Sequence, residues 1–436
     1  MDTLQIAIIL LIALFTLLSL GFWVATTLFS VAILALILNQ QSAIDMILAT
    51  TIWSGSSSWT ISALPLFIWM GEILFRTRLS EDLFKGLSPW LAKLPGGLLH
   101  VNIIGCGIFA AVSGSSAATT ATIGKMSLPE LRARGYAESM AMGTLAGSGT
   151  LGFLIPPSII LIVYGVSAEV SISRLFMAGA LPGLMLIGLF MSYVVIWSLL
   201  NPSKLPRENT SMTLVEKLRH TRQLFPILSL IAFVIGSIYL GWATATEAAT
   251  LGVVGSLALA WCTGSLSWDM FKTSLIGAAC MSAMILLILA GANLLTVAMG
   301  FLRLPAMLAE WVVNLHLSAG WLLIALTVLF AILGCFLDGI SVVVLTTSVI
   351  LPLVEASGIN LLWFGIYLVL VVEMSQITPP VGFNLFVIQS LSGRDIFKIA
   401  GYALPFFSIL VLAILLLTCF PDIVLWLPGL LTQHAH

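Results

Sequence analysis

The sequence predicts an all-α polytopic membrane protein, organised as an inverted-topology repeat with two re-entrant helical hairpins and two broken helices. Three observations support this fold class. The 436 residues are 60% hydrophobic and only 8% charged, which is too little charge for a soluble protein. Short motifs recur at a constant offset of 223 residues. Two pairs of adjacent prolines interrupt apolar segments that would otherwise form continuous helices.

Apolar runs long enough to cross a bilayer recur along the whole chain. They span residues 4–20, 22–38, 178–199, 225–240, 274–298 and 402–425, among others. About 20 consecutive apolar residues cross a hydrocarbon core as a helix. We therefore expect a multi-pass protein whose surroundings are the lipid bilayer, with no nucleic-acid partner.

The basic residues indicate how the chain is oriented in the membrane. They cluster at 76–93, 125–134 and 204–222, with further ones at Lys272, Arg394 and Lys398, and leave Arg174 and Arg303 apart. Lysine and arginine accumulate in cytoplasmic loops. We therefore predict that these clusters are cytoplasmic, that both termini lie outside, and that the hydrophilic loop 200–223 joins two halves.

The two halves share three proline motifs at the 223-residue offset. Leu128-Pro129 pairs with Leu351-Pro352, Pro156-Pro157 with Pro379-Pro380, and Ala180-Leu181-Pro182 with Ala403-Leu404-Pro405. Because a cytoplasmic loop follows an odd number of predicted crossings, the second copy enters the membrane from the opposite side. Inverted repeats of this kind are typical of secondary transporters.

The paired prolines predict one broken helix in each half. Residues 135–167 would form a straight helix of about 50 Å, longer than a bilayer requires. We expect a break near 152–157, with Pro156-Pro157 in the first turn of the second half-helix. Non-helical backbone at this depth is tolerated where it lines a cavity. Carbonyl groups of one half-helix and amides of the other can then hold a cation and an anion.

A short polar interruption before each proline pair predicts a hairpin. The two segments are AAVSGSSAATTATIGKMSLPEL at 110–131 and GCFLDGISVVVLTTSVILPL at 334–353. Each has the pattern of helix, tight turn and helix, with Ser115 or Ser116 as the N-cap in the first and Asp338 or Ser341 in the second. We expect the hairpins to approach the midplane from opposite faces.

These segments resemble the large membrane subunit of tripartite ATP-independent periplasmic (TRAP) transporters. The resemblance rests on SGSSAATTATIG, GTLGFLIPPSIIL, DGISVVVLTT and ITPPVGFNLFV, in this order and spacing, and extends to PLFIWMGEIL and TATEAATLG. A local departure is Ser348, where such transporters are expected to carry proline. The resemblance implies a sodium-coupled, elevator-type importer of small organic acids, of the dicarboxylate, sialic acid or sugar-acid class, in the bacterial inner membrane. Its implied partners are a small four-helix membrane subunit and a periplasmic substrate-binding protein.

With sodium as the coupling ion, each helix break predicts one ion site. Sodium prefers oxygen ligands, and carbonyl groups at a break supply them without a buried charge. For site 1 we predict Ser113, Ser116, Gly152, Ile155 and Pro157, and for site 2 Gly334, Asp338, Ser375, Thr378 and Pro380. For the substrate we predict Gly114, Ser115, Gly339, Gln376 and Asn384, although Asn384 can equally be a plain hydrogen-bonding residue between helices.

Other polar residues in the apolar segments have competing interpretations. Hydroxyl side chains in membrane helices commonly bond to their own backbone, which we expect of Thr119, Thr120, Thr122, Thr346 and Thr347. Membrane carboxylates are functional candidates by default. Glu72 and Glu247 can instead brace helices near an interface, and Glu373 can tune an ion site or the substrate cavity.

The pattern of functional residues favours a transporter over an enzyme. The sequence has no catalytic Ser–His or Asp–Asp pair, no nucleotide-binding loop and no transition-metal spacing, and we expect no cofactor besides Na⁺. The first hypothesis is the permease of a three-component importer. The alternative is a stand-alone sodium–dicarboxylate symporter with related hairpins, and a membrane enzyme is the third.

The repeat divides the chain into five predicted units. They are scaffold and arm helices at 1–97, the first half of a transport core at 98–177, connecting and scaffold helices at 178–317, the second half of the core at 318–398, and a C-terminal span and tail at 399–436. Each half of the core contains one hairpin and one broken helix. We expect the two halves to move as one body, because broken backbone must stay away from lipid.

Overall fold

A computed structural model describes residues 3–77, 79–206, 224–304 and 319–433, together with 216, 217, 221, 222 and 307. Regular structure within these residues is helical. Four of the helices are long and apolar enough to cross a membrane, and up to seven spans result if each bent pair counts as one. The prediction of an all-α polytopic membrane protein is confirmed. Most of the predicted loop 200–223 lies outside the described residues.

The first half of the chain contains eleven α-helices among its described residues. They are α1 (Thr3–Ser19), α2 (Val24–Leu38), α3 (Ile44–Ser56), α4 (Ala63–Phe75), α5 (Leu79–Leu91), α6 (Leu99–Ser113), α7 (Ser116–Ala133), α8 (Glu138–Gly149), α9 (Leu151–Leu154), α10 (Ile159–Ser167) and α11 (Ile172–Leu200). A 3₁₀ turn at Trp59–Ser62 precedes α4.

The second half repeats this order. Its described helices are α12 (Phe225–Tyr239), α13 (Ala245–Cys262), α14 (Trp268–Phe301), α15 (Ala319–Gly334), α16 (Gly339–Ala356), α17 (Leu361–Ser375), α18 (Phe383–Ser392), α19 (Ile396–Cys419) and α20 (Asp422–Gln433). The starts of α7 and α16, at Ser116 and Gly339, are 223 residues apart, as are those of α8 and α17, at Glu138 and Leu361. The sequence repeat is therefore also a repeat of secondary structure.

Packing between the copies is reciprocal. Helix α2 packs on α14 and α4 packs on α13, while α7 packs on α18 and α10 packs on α16. Since α2 corresponds to α13 and α7 to α16, each contact has a counterpart in which the copies exchange roles. One difference is that α3 and α4 form a pair bent by 55°, whereas α14 is one helix of 34 residues.

The proline pairs separate half-helices, but Pro156-Pro157 does not lie where the sequence suggested. Pro156-Pro157 is outside α10, which begins at Ile159 because the Ser158 hydroxyl accepts a hydrogen bond from Leu161 N–H at 3.5 Å. Placing the pair in the first turn of the second half-helix was wrong. A residue before proline is driven out of the α region, and Ile155 is extended accordingly (φ −78°, ψ 122°).

The second break is longer than the first. It separates α17, which ends at Ser375, from α18, which begins at Phe383 after Gly382 with φ +42°. Asn384 consequently lies in the first turn of α18. The Pro–Pro peptide bonds of both breaks are cis.

Candidate functional site

The turn between α6 and α7 is built from a glycine and a serine cap. Helix α6 ends at Ser113, and Gly114 adopts the left-handed conformation (φ +58°) that ends helices at little steric cost. Ser115 then caps α7, its hydroxyl accepting a hydrogen bond from Ala118 N–H at 3.4 Å. Of the two predicted caps, Ser115 is therefore the one used. The Ser113 and Thr119 hydroxyls lie 2.8 Å apart in the same turn.

This turn is attached directly to the first break. The Ile159 N–H donates to the Gly114 carbonyl oxygen at 3.3 Å, and the Ser116 hydroxyl donates to the Gly149 carbonyl oxygen at 3.1 Å. A Cβ atom on Gly152 would lie 2.5 Å from the Ser115 carbonyl oxygen, closer than real Cβ contacts come. Only glycine at this position allows the break to approach the hairpin backbone.

Four of the five residues predicted for ion site 1 are brought together here. Ser116 and Gly152 are neighbours, Ser113 lies in the same turn, and the Pro157 carbonyl oxygen lies 3.1 Å from the position of a Cβ on Gly114. The Ile155 side chain instead packs towards α11, where it lies 3.1 Å from the Cβ position of Gly183. Only the backbone of Ile155 can contribute to a site on the hairpin side.

The second hairpin turn is closed by a carboxylate. Asp338 accepts a hydrogen bond from Ser341 N–H at 3.2 Å and a second from the Ser341 hydroxyl, which makes it the N-cap of α16. Of the predicted caps Asp338 and Ser341, the first is therefore the one used. Gly339 lies against the Phe153 ring of the first break, with its Cβ position 2.6 Å from the ring.

The residues predicted for ion site 2 surround a more exposed break. The Ser375 hydroxyl donates to the Val372 carbonyl oxygen at 2.6 Å and occupies the space in front of Gly334, 1.9 Å from its Cβ position. The Thr378 hydroxyl donates to the Met374 carbonyl oxygen at 2.8 Å. Pro380 is exposed. Gly334 and Ser375 are thus in contact, whereas Asp338 is engaged in capping its helix.

Asn384, one of the predicted substrate residues, meets the first hairpin across the repeat boundary. The Asn384 amide donates to the Ser116 hydroxyl at 2.7 Å, and Asn384 N–H donates to the Gln376 carbonyl oxygen at 3.2 Å. Asn384 Oδ1 and Gln376 Nε2 are buried without a hydrogen-bond partner. One buried acceptor on Asn384 and one buried donor on Gln376 therefore remain unsatisfied, which is unusual for buried polar groups.

A buried carboxylate, Glu373, lies between the two breaks. Its side chain is 0% exposed, and neither carboxylate oxygen makes a hydrogen bond of good geometry. It approaches the backbone N–H groups of Phe153 and Leu154 at the first break. Charged groups inside the membrane are costly and typically functional. The sequence identified Glu373 as a candidate but gave no indication that it faces the break of the other repeat.

The remaining two membrane carboxylates have structural partners. Glu72 forms an ion pair with Arg76 at 2.8 Å and lies against α14, 3.0 Å from the Cβ position of Gly277. Glu247 forms a capping box with Thr244 at the start of α13. Both contacts match the bracing role that the sequence left open.

The chemistry of the site is that of oxygen and amide groups. Among the described residues, no group of three or more histidine, cysteine, aspartate or glutamate side chains could hold a metal ion. Hydroxyl and carbonyl oxygens at the breaks suit a hard cation such as Na⁺, whereas amide N–H groups suit an anionic ligand.

Comparison with known proteins agrees with this architecture. The family model described as "Tripartite ATP-independent periplasmic transporter, DctM component" matches residues 11–423. The C4-dicarboxylate TRAP transporter large permease DctM of Rhodobacter capsulatus is 32% identical over 428 residues, which cover 95% of this chain and 94% of that protein. The sialic acid TRAP transporter large permease SiaM of Vibrio cholerae is 28% identical over 418 residues, covering 95% and 97%.

A solved structure shares the fold at lower identity. The YdaH transporter of Alcanivorax borkumensis superposes with a TM-score of 0.62 at 12% identity, over 89% of this chain and 88% of that one. This likeness concerns the fold alone. The family match over nearly the whole chain is what identifies the protein. It belongs to the DctM family of large TRAP transporter permeases and is a multi-pass protein of the bacterial inner membrane.

Proposed function

We propose that this chain imports small organic acids by sodium-coupled, elevator-type transport. The observation that carries the proposal is the meeting of both repeats at the first hairpin turn. Gly114 and Ser116 contact the first break, and Ser116 also accepts from Asn384 at the start of α18. The first hairpin, the first break and the start of α18 thus bring carbonyl, hydroxyl and amide groups of both repeats together, which supports a transport site between the repeats.

The substrate class is proposed from the chemistry of the site and the names of the relatives. The relatives are named for a C4-dicarboxylate and for sialic acid, which are both carboxylates. No lysine or arginine lies within the break segments 150–158 and 376–382. An organic anion is accordingly met by the amides of Asn384 and Gln376, by half-helix N-termini and by bound sodium. We keep the dicarboxylate, sialic acid and sugar-acid classes as candidates.

The partners are proposed from the family. Its description names one component of a tripartite periplasmic transporter. We expect a small four-helix membrane subunit and a soluble periplasmic substrate-binding protein to complete the importer. The stand-alone sodium–dicarboxylate symporter is the alternative, and it predicts saturable uptake by this chain alone.

The ions are assigned one to each break. Site 1 uses oxygens of Ser113, Ser116 and the 152–157 backbone, and site 2 uses oxygens of Gly334, Ser375 and Thr378. The elevator body comprises residues 98–177 and 318–398. The reciprocal packing of α7 on α18 and of α10 on α16 supports a body that moves as a unit.

Uptake by proteoliposomes tests the function. The chain is reconstituted with the small membrane subunit and the periplasmic substrate-binding protein. A panel of organic acids is then screened with an inward sodium gradient and with a pH gradient in sodium-free buffer. We expect sodium-driven uptake only with both partners present. Equal uptake driven by the pH gradient would overturn sodium coupling, and uptake of micromolar affinity by the chain alone would favour the symporter.

The sodium assignment has its own variant test. Ser113→Ala and Thr378→Ala each remove at most one ligand oxygen while backbone oxygens remain, so the sodium concentration for half-maximal uptake is expected to rise a few-fold. Thr250→Ala is the matched control, since its hydroxyl bonds only within α13, to the Thr246 carbonyl. Unchanged sodium dependence in both test variants would remove these hydroxyls from the ion sites.

A further inference from the structure

A cavity of about 480 Å³ lies outside the candidate transport site. It is bounded by α7, by the start of α8 and by the end of α18. Its volume falls within the range of small-molecule binding sites, roughly 300–1,000 Å³. None of the residues assigned to the ions or the substrate lines it.

Packing separates this cavity from the candidate site. A Cβ atom on Gly124 would lie 2.6 Å from Leu145 and 2.8 Å from Leu391, so these side chains close the inner end. Ser116 and Asn384 lie roughly two helical turns beyond this closure along α7 and α18. The cavity is therefore a separate pocket that opens at the surface.

The cavity has a cationic rim. Lys125 and Arg132 line it, and both lie on the same face of α7. Both side chains are exposed. The one lining carboxylate, Glu138, pairs with Arg394 at 2.6 Å and lies 3.9 Å from Arg132. Arg132 and Arg394 therefore both lie beside this carboxylate, and Lys125 makes no ion pair seen among the described residues.

The floor of the cavity is apolar. It is formed by Leu128, Ala141, Met142 and Leu391. A small, fully charged anion in the cavity would lie against these apolar side chains, which cannot form hydrogen bonds to it. A ligand with a charged head and an apolar body matches both the rim and the floor.

We propose that this cavity binds an anionic phospholipid of the cytoplasmic leaflet. Its phosphodiester lies between Lys125 and Arg132, and its glycerol and upper acyl carbons lie on the apolar floor. The basic clusters place this end of α7 on the cytoplasmic side, where anionic lipids attract basic residues near the membrane surface. Such a lipid contacts α7 and α8 of the first repeat and α18 of the second.

Native mass spectrometry of the purified, delipidated full chain tests this site. Phosphatidylglycerol is added, with phosphatidylcholine as the uncharged-head control. We expect saturable binding of phosphatidylglycerol that becomes roughly 30-fold weaker in Lys125→Ala/Arg132→Ala, since each of the two basic residues near the surface contributes about 1 kcal/mol. Lys93→Ala/Lys272→Ala removes the same charge outside the cavity and is expected to bind as the wild type does.

A variant that fills the cavity distinguishes lipid binding in the pocket from attraction of lipid by diffuse surface charge. Ala133 is exposed and lines the cavity, so Ala133→Trp should block it without removing a charge or disturbing the core. We expect phosphatidylglycerol binding to be lost in this variant. Equal binding of both lipids, or equal weakening by both charge-removing variants, would overturn the proposal. Displacement of the lipid by millimolar inorganic phosphate would show a small-anion site instead. The readout is independent of transport, so it remains valid if the proposed function fails.

Discussion

The two hairpin–break pairs share their secondary structure but differ in the burial of the break and in its hydrogen bonding to the hairpin. At the first, residues 156–160 are buried and a backbone hydrogen bond joins Ile159 to Gly114. At the second, Pro380 and Phe383 are exposed, and no backbone hydrogen bond between the 335–338 turn and the break is seen among the described residues. The second break is therefore the more exposed of the two in this conformation.

The difference arises from where each copy places its small residues. In the first copy Gly152 lies on the break and faces the hairpin backbone at Ser115. In the second copy the equivalent position is Ser375, and the space for its hydroxyl is provided by Gly334 on the hairpin side. In the first pair, the hairpin and the break are in backbone contact. In the second pair, the Ser375 side chain lies between the hairpin and the break. Residues at equivalent positions of the two copies therefore have different surroundings.

Gly152→Ala should have the largest effect, because its Cβ would collide with backbone that cannot rotate away. The closest atom is the Ser115 carbonyl oxygen at 2.5 Å. We expect sodium-driven uptake to fall at least roughly tenfold, in line with the cost of overpacking, about 1–3 kcal/mol. Uptake and the thermal unfolding midpoint are measured together.

Gly188→Ala is the matched control for this variant. Gly188 lies on α11, with no atom within 4 Å of its Cβ position. The same change there should leave uptake near the wild-type level. If Gly152→Ala transports as well as Gly188→Ala, the first break is not sealed by this contact.

The sequence predicted the helix ends of the site better than its contacts. Each cap was narrowed to two candidates, of which Ser115 and Asp338 are the ones used, because capping depends on residues adjacent in sequence. The start of α10 was misplaced because the Ser158 cap outweighs the preference of proline for a first turn. The contacts of Asn384 with Ser116, and of Phe153 with Gly339, join different repeats. The 223-residue offset identifies equivalent residues in the two copies, but it does not show which residues are in contact.

Gly334→Ala should be the next largest change, and unlike Gly152→Ala it should be rescued by a second substitution. Its Cβ would collide with the Ser375 hydroxyl, which is a side-chain atom. Ser375→Gly removes that atom and reproduces the first copy, in which alanine at 111 accompanies glycine at 152. We expect the double variant to regain most of the uptake lost by Gly334→Ala at saturating sodium, although loss of the Ser375 hydroxyl from site 2 should raise the sodium concentration for half-maximal uptake. If the double variant transports no faster than Gly334→Ala alone, the collision with the Ser375 hydroxyl is not the cause of the lost uptake.

The hydrogen bond from Asn384 to Ser116 should contribute a smaller, measurable coupling between the repeats. A double-mutant cycle with Asn384→Ala and Ser116→Ala isolates this pair. We expect a coupling of about 1 kcal/mol, the usual net contribution of one hydrogen bond. Ser116→Ala alone also removes the bond to Gly149, so it should be the more destabilising single variant. Strictly additive shifts of the thermal midpoint would show that the bond does not couple the halves.

The Arg394–Glu138 ion pair should have the smallest effect, although it also joins the two repeats. Its atoms are only 2.6 Å apart, but the side chains are 44% and 33% exposed. Exposed pairs typically contribute roughly 0.2–1 kcal/mol, because water and salt screen them. We expect Arg394→Ala to lower the thermal midpoint slightly, and less so at 0.5 M salt. The reference is Arg76→Ala, which breaks the Arg76–Glu72 pair at the C-terminal end of α4, at 2.8 Å and with 30% and 25% exposure. A loss well above that of the reference, unaffected by salt, would show that this pair, and not the buried contacts at the breaks, holds the two halves of the core together.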